Sequence, residues 1–219
     1  MHPLQPARKR RRHDKDETLS RETRQTLAIP CHGRYIADMN DVLPIDAATV
    51  EPIEILIAPH PLLRRKTRLV RPEDQPLLRT LLPRMYESMY LAPGIGLAAP
   101  QVGQNLRFAI VDLHDNDIRA PLTLINPEII RESDQLASRE EGCLSLPGMY
   151  AEVVRPESVR VRYLDLEGKR HELDADGLLA TCLQHEIDHL DGVLFVDHLS
   201  ALKRNMIMRR LAKEQKAKG

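Results

Sequence analysis

Two histidines, four residues apart, constrain this chain more than any other feature. Residues 185–189 read His-Glu-Ile-Asp-His. On an α-helix, positions four apart lie on one face about one turn from each other, so the imidazoles of His185 and His189 point the same way. The surrounding apolar residues predict that this helix is largely buried; they are Leu178, Leu179, Leu183 and Leu190.

A shared metal ion explains this pair better than a chance alignment of two surface histidines. Two buried neutral histidines would both need hydrogen-bonding or metal partners. Glu186 stands next to the first histidine, where its carboxylate can act as general base towards a water molecule activated by the metal. The run therefore predicts a hydrolytic metal centre on a central helix.

The third protein ligand of such a site is not settled by spacing. A catalytic site needs three protein ligands and an open fourth position. Downstream of the helix, Asp197 and His198 are available, but neither has an obvious spacing. Upstream, Cys143 lies in the run Glu-Gly-Cys-Leu-Ser-Leu-Pro at residues 141–147. A lone cysteine is equally compatible with a small buried hydrophobe, which is our interpretation of Cys31 and Cys182.

A run of small residues at 94–101, Gly-Ile-Gly-Leu-Ala-Ala-Pro-Gln, is the third informative stretch. Glycine and alanine allow another chain to approach the backbone closely, as an extended peptide adding alongside a strand requires. Gln101 supplies a neutral amide donor that can stabilise an oxyanion. A nucleotide-binding loop is disfavoured because no lysine follows the glycines and no strand precedes them.

The remaining periodicity predicts an α+β fold. A helix is expected from about Pro72, followed by strands at residues 107–112, 122–126, 150–154, 159–164 and 169–173. A second helix is predicted at 176–190, and a third begins near Ser200, which is a good N-cap. Helices and strands are segregated along the chain. We therefore expect antiparallel strands packed around a central metal-binding helix.

The composition predicts where the catalytic domain begins and in which cellular compartment the protein acts. Residues 1–50 are polar with scattered prolines and predict a flexible N-terminal extension, while residues 51–219 form the catalytic domain. No apolar run approaches the roughly 18 residues of a membrane span. The basic residues 8–12 are followed by charged residues and not by the apolar stretch of a secretory signal. We expect a cytoplasmic monomer.

Taken together and in this order, the three runs resemble the motifs of the peptide deformylase family, from about residue 53 to about residue 211. The resemblance implies that Cys143, His185 and His189 hold the metal ion. It also implies Fe2+ as the usual ion, with Zn2+, Ni2+ or Co2+ able to substitute, although a Cys-His-His ligand set by itself suits zinc.

The same resemblance implies removal of the N-formyl group from the N-terminal formyl-methionine of new polypeptides. Glu186 would move the proton, and Gln101 with the backbone N–H of Leu144 would stabilise the charge on the formyl oxygen. Ile95 and Gly96 would line the groove for the formyl-methionyl peptide. One departure is that residues 148–151, Gly-Met-Tyr-Ala, stand where many bacterial members have a basic residue.

Two other functions stay open from the residues alone. A zincin-type metallopeptidase would use the same helix with a downstream ligand such as His198. A non-catalytic, deformylase-like metal-binding protein would keep the ligands without turnover. In addition, the predicted C-terminal helix, at about residues 200–216, is basic. Our hypothesis is that it docks on the ribosome by contacting RNA phosphates.

Overall fold

The computed structural model describes residues 27–28, 50–113 and 119–218 of the 219-residue chain. The helices are α1 (Gln75–Leu91), α2 (Gly177–Leu190) and α3 (Ala201–Lys218). The strands are β1 (Leu27–Ala28), β2 (Gly96–Ala98), β3 (Phe108–Val111), β4 (Leu122–Glu132), β5 (Leu136–Cys143), β6 (Leu146–Pro156), β7 (Ser158–Leu164) and β8 (Arg170–Asp176). Short 3-10 helices lie at Pro61–Arg64, Pro72–Asp74, Ala99–Val102 and Phe195–His198.

Six of the strands form one sheet, in the order β1-β8-β7-β4-β3-β2. All neighbours pair antiparallel except β1, which runs parallel to β8. Strands β5 and β6 form a separate two-stranded sheet, joined by a tight turn at Leu144 and Ser145. Strand β2 is therefore an edge strand, which leaves one side of its backbone outside the sheet ladder.

Helix α2 is the central element. It packs against β2, β3, β7 and β8 of the large sheet and also against β6 of the hairpin. Leu183 and Ile187 are buried with Val161 and Leu173 in one apolar cluster. Burial of this face holds α2 between the two sheets. The predicted α+β class, with antiparallel strands around a central helix, is confirmed.

The other two helices close the remaining apolar surfaces. Helix α1 buries residues at helical spacing against β3; they are Leu78, Leu82, Met85 and Met89. Helix α3 covers the hairpin, where Leu211 joins Met149 and Val153 in a cluster with Phe195. As predicted, Ser200 caps α3, because its Oγ accepts a hydrogen bond from the backbone N–H of Lys203.

Three strands escaped the sequence prediction, namely β1, β2 and β5. Strand β2 consists of glycine, leucine and alanine and lacks the β-branched and aromatic residues that favour strands, so its composition does not predict a strand. Strand β5 is polar, because most of one face is exposed, and therefore lacks an apolar signature. Of the predicted extension, Leu27, Ala28 and residue 50 lie within the described part of the chain. No helix in that part has the length and apolar character required to cross a membrane.

Candidate metal centre

The fold brings the three sequence motifs to one place. His185 and His189 lie on α2, and Cys143 is the last residue of β5. Gln101 lies on the 3-10 helix that follows β2. Donor atoms of Cys143, His185 and His189 all lie within 4.8 Å of one another. This is the one such group of candidate metal ligands among the described residues.

The spacing of these atoms fits a single small cation. Metal–nitrogen bonds of about 2.0 Å and metal–sulfur bonds of about 2.3 Å place tetrahedral ligand atoms about 3.3–3.7 Å apart. Cys143 Sγ lies 3.2 Å from His189 Nε2. Thiolate and imidazole are also the donor types that Zn2+ and Fe2+ accept. The residues present therefore fit a divalent metal ion.

The protonation of the two histidines supports the same interpretation. Burial lowers the pKa of His189 well below its ordinary value, so its ring is neutral and able to bind a cation. For His185, burial also opposes the charged form, but hydrogen bonds with Cys143 and Glu141 outweigh it and raise the pKa. Without a cation, a proton on His185 offsets the negative charge nearby. A bound metal would displace that proton.

A buried ion pair orients His185 from behind. Glu141 Oε2 lies 2.8 Å from His185 Nδ1, which leaves the other ring nitrogen to the metal site. Arg155 binds both oxygens of Glu141, through Nε at 2.6 Å and a terminal nitrogen at 3.0 Å. Burial opposes ionisation of Glu141, but hydrogen bonds from His185 and Arg155 hold its pKa below the ordinary value. The carboxylate is therefore charged and fixes the ring.

Glu186 is a buried acid that lies next to the ligand cluster on α2. Its side chain is buried, and Oε2 is one of two buried side-chain polar atoms without a hydrogen-bond partner in the described residues. Burial raises its pKa to about 7, because desolvation penalises the carboxylate. A buried polar atom without a partner indicates a missing water, ion or substrate. A carboxyl group poised near neutral pH suits general acid–base work.

Gln101 is held in a fixed orientation next to Cys143. Its Oε1 accepts a hydrogen bond of 2.8 Å from the backbone N–H of Ala98. Its Nε2 donates hydrogen bonds to Ser145 Oγ at 3.1 Å and to Cys143 Sγ at 3.6 Å. These two bonds use both hydrogens of the amide nitrogen. The N–H directed at Cys143 Sγ therefore lies next to the cluster of candidate ligands.

The remaining predicted site residues border this pocket. Leu144 lies in the turn between β5 and β6, so its N–H is outside the regular ladder. Gly96 belongs to the edge strand β2 and lies beside Glu186. The carbonyl of Ile95 is engaged inward, by the N–H of Asp112 at 2.9 Å. Gly96 thus presents backbone without a side chain next to Glu186.

The structure separates the other candidates from the cluster. His198 Nε2 lies 2.8 Å from Asp188 Oδ2, and Asp197 pairs with Arg64. Cys182 is buried, and burial raises the pKa of its thiol well above the ordinary value, in keeping with a small buried hydrophobe. Cys31 lies outside the described residues.

Sequence reasoning missed the supporting network of Glu141, Arg155 and Asp188. Asp188 Oδ2 accepts a hydrogen bond of 2.7 Å from Arg155. Arg155 is 5% exposed and occupies a core-facing position of β6 two residues after Val153. An arginine at such an alternating position was the available signal, since a buried cation requires buried acidic partners.

Comparison with known proteins agrees with the geometry. The family model described as polypeptide deformylase matches residues 52–205. The chain is 50% identical over 171 residues to the peptide deformylase of Agrobacterium fabrum, covering 78% of this chain and 99% of the relative. It is 52% identical over 165 residues to that of Mesorhizobium japonicum, covering 75% and 93%.

Solved structures show the same relationship. A peptide deformylase from Legionella pneumophila superposes with a TM-score of 0.71 at 46% identity, over 76% of this chain and 97% of that one. A peptide deformylase from Synechococcus elongatus, in complex with actinonin, superposes with a TM-score of 0.68 at 44% identity, over 74% and 89%. Sequence, fold and site thus agree, and the chain belongs to the polypeptide deformylase family.

Proposed function

We propose that Cys143, His185 and His189 hold the divalent metal ion with which this peptide deformylase removes the N-formyl group of newly synthesised polypeptides. One observation carries the assignment of residues: three donor atoms within 4.8 Å of one another lie beside Glu186, a buried carboxyl group with an unpartnered oxygen. Burying such a polar group costs free energy unless a water molecule, an ion or a substrate binds to it.

The reaction breaks the amide bond between the formyl carbon and the methionine nitrogen. When bound, the divalent ion supplies a Lewis acid that polarises the formyl carbonyl and makes the attacking water more acidic. Glu186 accepts a proton from that water and delivers it to the departing amine, so the products are formate and a free N-terminus. The raised pKa of Glu186 suits both steps.

Charge that develops on the formyl oxygen requires donors already in place. We assign this role to the N–H of Gln101 Nε2 that is directed at Cys143 and to the backbone N–H of Leu144. The hydrogen bonds of Gln101 with Ala98 and Ser145 hold its amide in the required orientation before substrate arrives. Little reorganisation is then needed during the reaction.

We assign peptide binding to the edge strand β2. An extended formyl-methionyl peptide would pair with the backbone at Ile95 and Gly96 by strand addition. Gly96 has no side chain to obstruct the peptide or Glu186. Tyr150, which is 64% exposed, packs its ring over Gly142 next to Cys143. It belongs to the stretch 148–151, where many bacterial members have a basic residue.

The finer identity of the ion is also a proposal. Family resemblance favours Fe2+, while the Cys-His-His donor set accepts Zn2+, Ni2+ or Co2+ as well. Metal analysis of protein purified without oxygen tests this. Iron at one equivalent per chain supports the assignment, whereas zinc with full activity contradicts it.

Formate release tests the function and the roles together. Protein loaded with Fe2+ or Ni2+ without oxygen should release formate from formyl-Met-Ala-Ser, and actinonin should inhibit it. Glu186→Gln should keep the metal and lose activity by about 100- to 10,000-fold. Cys143→Ala should lose the metal, while Cys182→Ala serves as the matched control and should keep metal and activity.

The outcomes separate the rival functions. Cleavage of unformylated internal peptide bonds, abolished by His198→Ala and not by Cys143→Ala, would indicate a zincin-type peptidase. Stoichiometric metal with no turnover of either substrate would indicate a non-catalytic relative. The peptidase result is not expected, because His198 contacts Asp188 and lies outside the ligand cluster.

We further propose that the enzyme acts in the cytoplasm as a monomer and docks on ribosomes through α3. The helix exposes Lys203, Arg209, Lys213 and Lys216, which suits contact with RNA phosphates. Leu211 is buried in the core beneath this helix. Charge reversal at the four exposed residues is therefore a better test than truncation.

The test is co-sedimentation with ribosomes at two salt concentrations. The wild-type protein should bind at low salt and dissociate at high salt, and the charge-reversed variant should bind weakly at both. Undiminished binding by that variant would contradict docking through α3. Sedimentation at the mass of a dimer would contradict the monomer.

A further inference from the structure

His198 lies on a segment that returns to the metal centre after α2. The 3-10 helix Phe195–His198 begins five residues beyond the end of α2. At its end, His198 Nε2 lies 2.8 Å from Asp188 Oδ2. At its start, the ring of Phe195 stacks on His185, with centroids 6.3 Å apart and planes 21° from parallel. Both ends of the segment therefore contact the ligand-bearing helix.

A continuous chain of hydrogen bonds connects His198 to the metal-ligand ring. Asp188 Oδ2, which His198 contacts, also accepts a hydrogen bond of 2.7 Å from Arg155. Arg155 binds both oxygens of Glu141, and Glu141 Oε2 lies 2.8 Å from His185 Nδ1. Each group along the chain is held on both sides. The side chain of His198, at 33% exposed, is the solvent end of the chain.

The charges along this series of hydrogen bonds explain why His198, at its solvent end, affects Arg155. Arg155 is the single arginine between two carboxylates, and its side chain is 6% exposed. Without His198, the same oxygen of Asp188 would rely on Arg155 alone and could draw it away from Glu141. A hydrogen bond from His198 Nε2 satisfies Asp188 from the opposite side. Arg155 can then keep both of its bonds to Glu141.

We infer that His198 is a positioning residue of the metal centre, acting through Asp188, Arg155 and Glu141 on the orientation of His185. The inference rests on the proposed metal site and extends it by a residue that holds no metal itself. What His198 must supply is a hydrogen-bond donor at the position of Nε2. Glutamine can place an amide nitrogen at nearly the same reach, whereas leucine cannot donate.

The test uses Co2+-loaded protein, whose visible bands report the arrangement of the ligands. His198→Leu should shift these bands at saturating Co2+ and weaken Co2+ binding about 3- to 10-fold, less than the 10- to 100-fold typical of a direct partner of a ligand. His198→Gln should restore both values. His171→Leu is the matched control, because His171 also pairs with a carboxylate, Asp165 at 2.6 Å, and its side chain is 21% exposed against 33% for His198.

Band positions distinguish positioning from a loss of stability. A variant that merely unfolds more easily has fewer folded molecules, but its bound Co2+ keeps the wild-type spectrum. Wild-type bands and affinity in His198→Leu would overturn the inference, as would equal shifts in His171→Leu. Failure of the wild-type protein to bind Co2+ would overturn it together with the metal site. Normal spectra without formate release would overturn the proposed function alone.

Discussion

Gly96 lies directly against the carboxylate of Glu186. A Cβ atom built on Gly96 would overlap Oε1 and would lie 2.8 Å from Cδ of Glu186 and 3.0 Å from Cys182 Sγ. The Glu186 side chain is 3% exposed and has little room to move away. The absence of a side chain at position 96 therefore determines where the carboxylate sits.

Gly96→Ala should displace the carboxylate of Glu186 and lower kcat about 100-fold, because a shift of about 1 Å at a catalytic group can have this effect. The backbone itself tolerates alanine, since Gly96 is not in the left-handed region. Formate release and metal content measure the result. In a Glu186→Gln background, Gly96→Ala should lower kcat only slightly further. An undiminished kcat in the single variant would contradict this reading of the contact.

The raised pKa of Glu186 predicts how the stability of metal-free protein varies with pH. The pKa of Glu186 is about 7 in the folded protein, against an ordinary value of 4.5. The folded state therefore holds the proton more tightly, and this stabilisation is complete below pH 4.5 and lost as pH rises through 7. Glu186→Gln lacks the effect. Its free energy of unfolding should rise relative to wild type by about 3 kcal/mol between these pH values.

Urea unfolding at several pH values measures this difference. Other titrating groups cancel because both proteins carry them. The rise should shrink in metal-loaded protein, since a nearby cation favours the ionised carboxylate. A difference that does not vary with pH in metal-free protein would mean that Glu186 titrates near its ordinary pKa.

Breaking the buried ion pair should be costly. Arg155→Met leaves the buried Glu141 and the partly buried Asp188 without their shared cation, so the free energy of unfolding should fall by about 3–5 kcal/mol. Arg162→Met is the matched control, because Arg162 pairs with Glu172 on an exposed part of the sheet. It should cost at most about 1 kcal/mol. Equal losses in the two variants would contradict a special role for the buried pair.

We propose that the catalytic domain comprises residues 51–219, and truncation tests this boundary. Deleting residues 1–50 should leave formate release within about twofold, because the backbone bonds from Leu56 to Gln101 and from Ala58 to Ser145 remain. Deleting residues 1–60 removes both bonds and should abolish activity. Loss of activity in the shorter deletion would move the boundary towards the N-terminus.

Residue spacing predicted the features that depend on local geometry, such as a shared helix face. It did not predict contacts that depend on which charged residues are buried together. His185 and His189 are one helical turn apart wherever the helix lies, so their shared face was readable. Cys143 could not be chosen over His198 by spacing alone, because contact between distant segments depends on the tertiary fold. Its assignment came from resemblance. The structure brings Cys143 into the cluster, and the ligand roles stay a proposal.

The missed elements have a common physical reason. Strand β5 carries Glu140 and Glu141, so its pattern resembles a solvated segment, although Glu141 is buried by pairing with Arg155. Hydrophobic periodicity does not report which charged residues find partners. The same limit hid the link from His198 to Asp188. Strand β2 escaped because the run of glycine, leucine and alanine gives no strand signal.

Two independent sets of contacts connect the β5–β6 hairpin to α2. The proposed metal ligands would join Cys143 of β5 to the helix when an ion is bound, and Arg155 of β6 joins the same helix through Asp188. The second set of contacts needs no ion. A molecule that has lost its metal would thus keep the cysteine facing the histidines, so it could be reloaded from the cellular pool instead of being refolded or degraded.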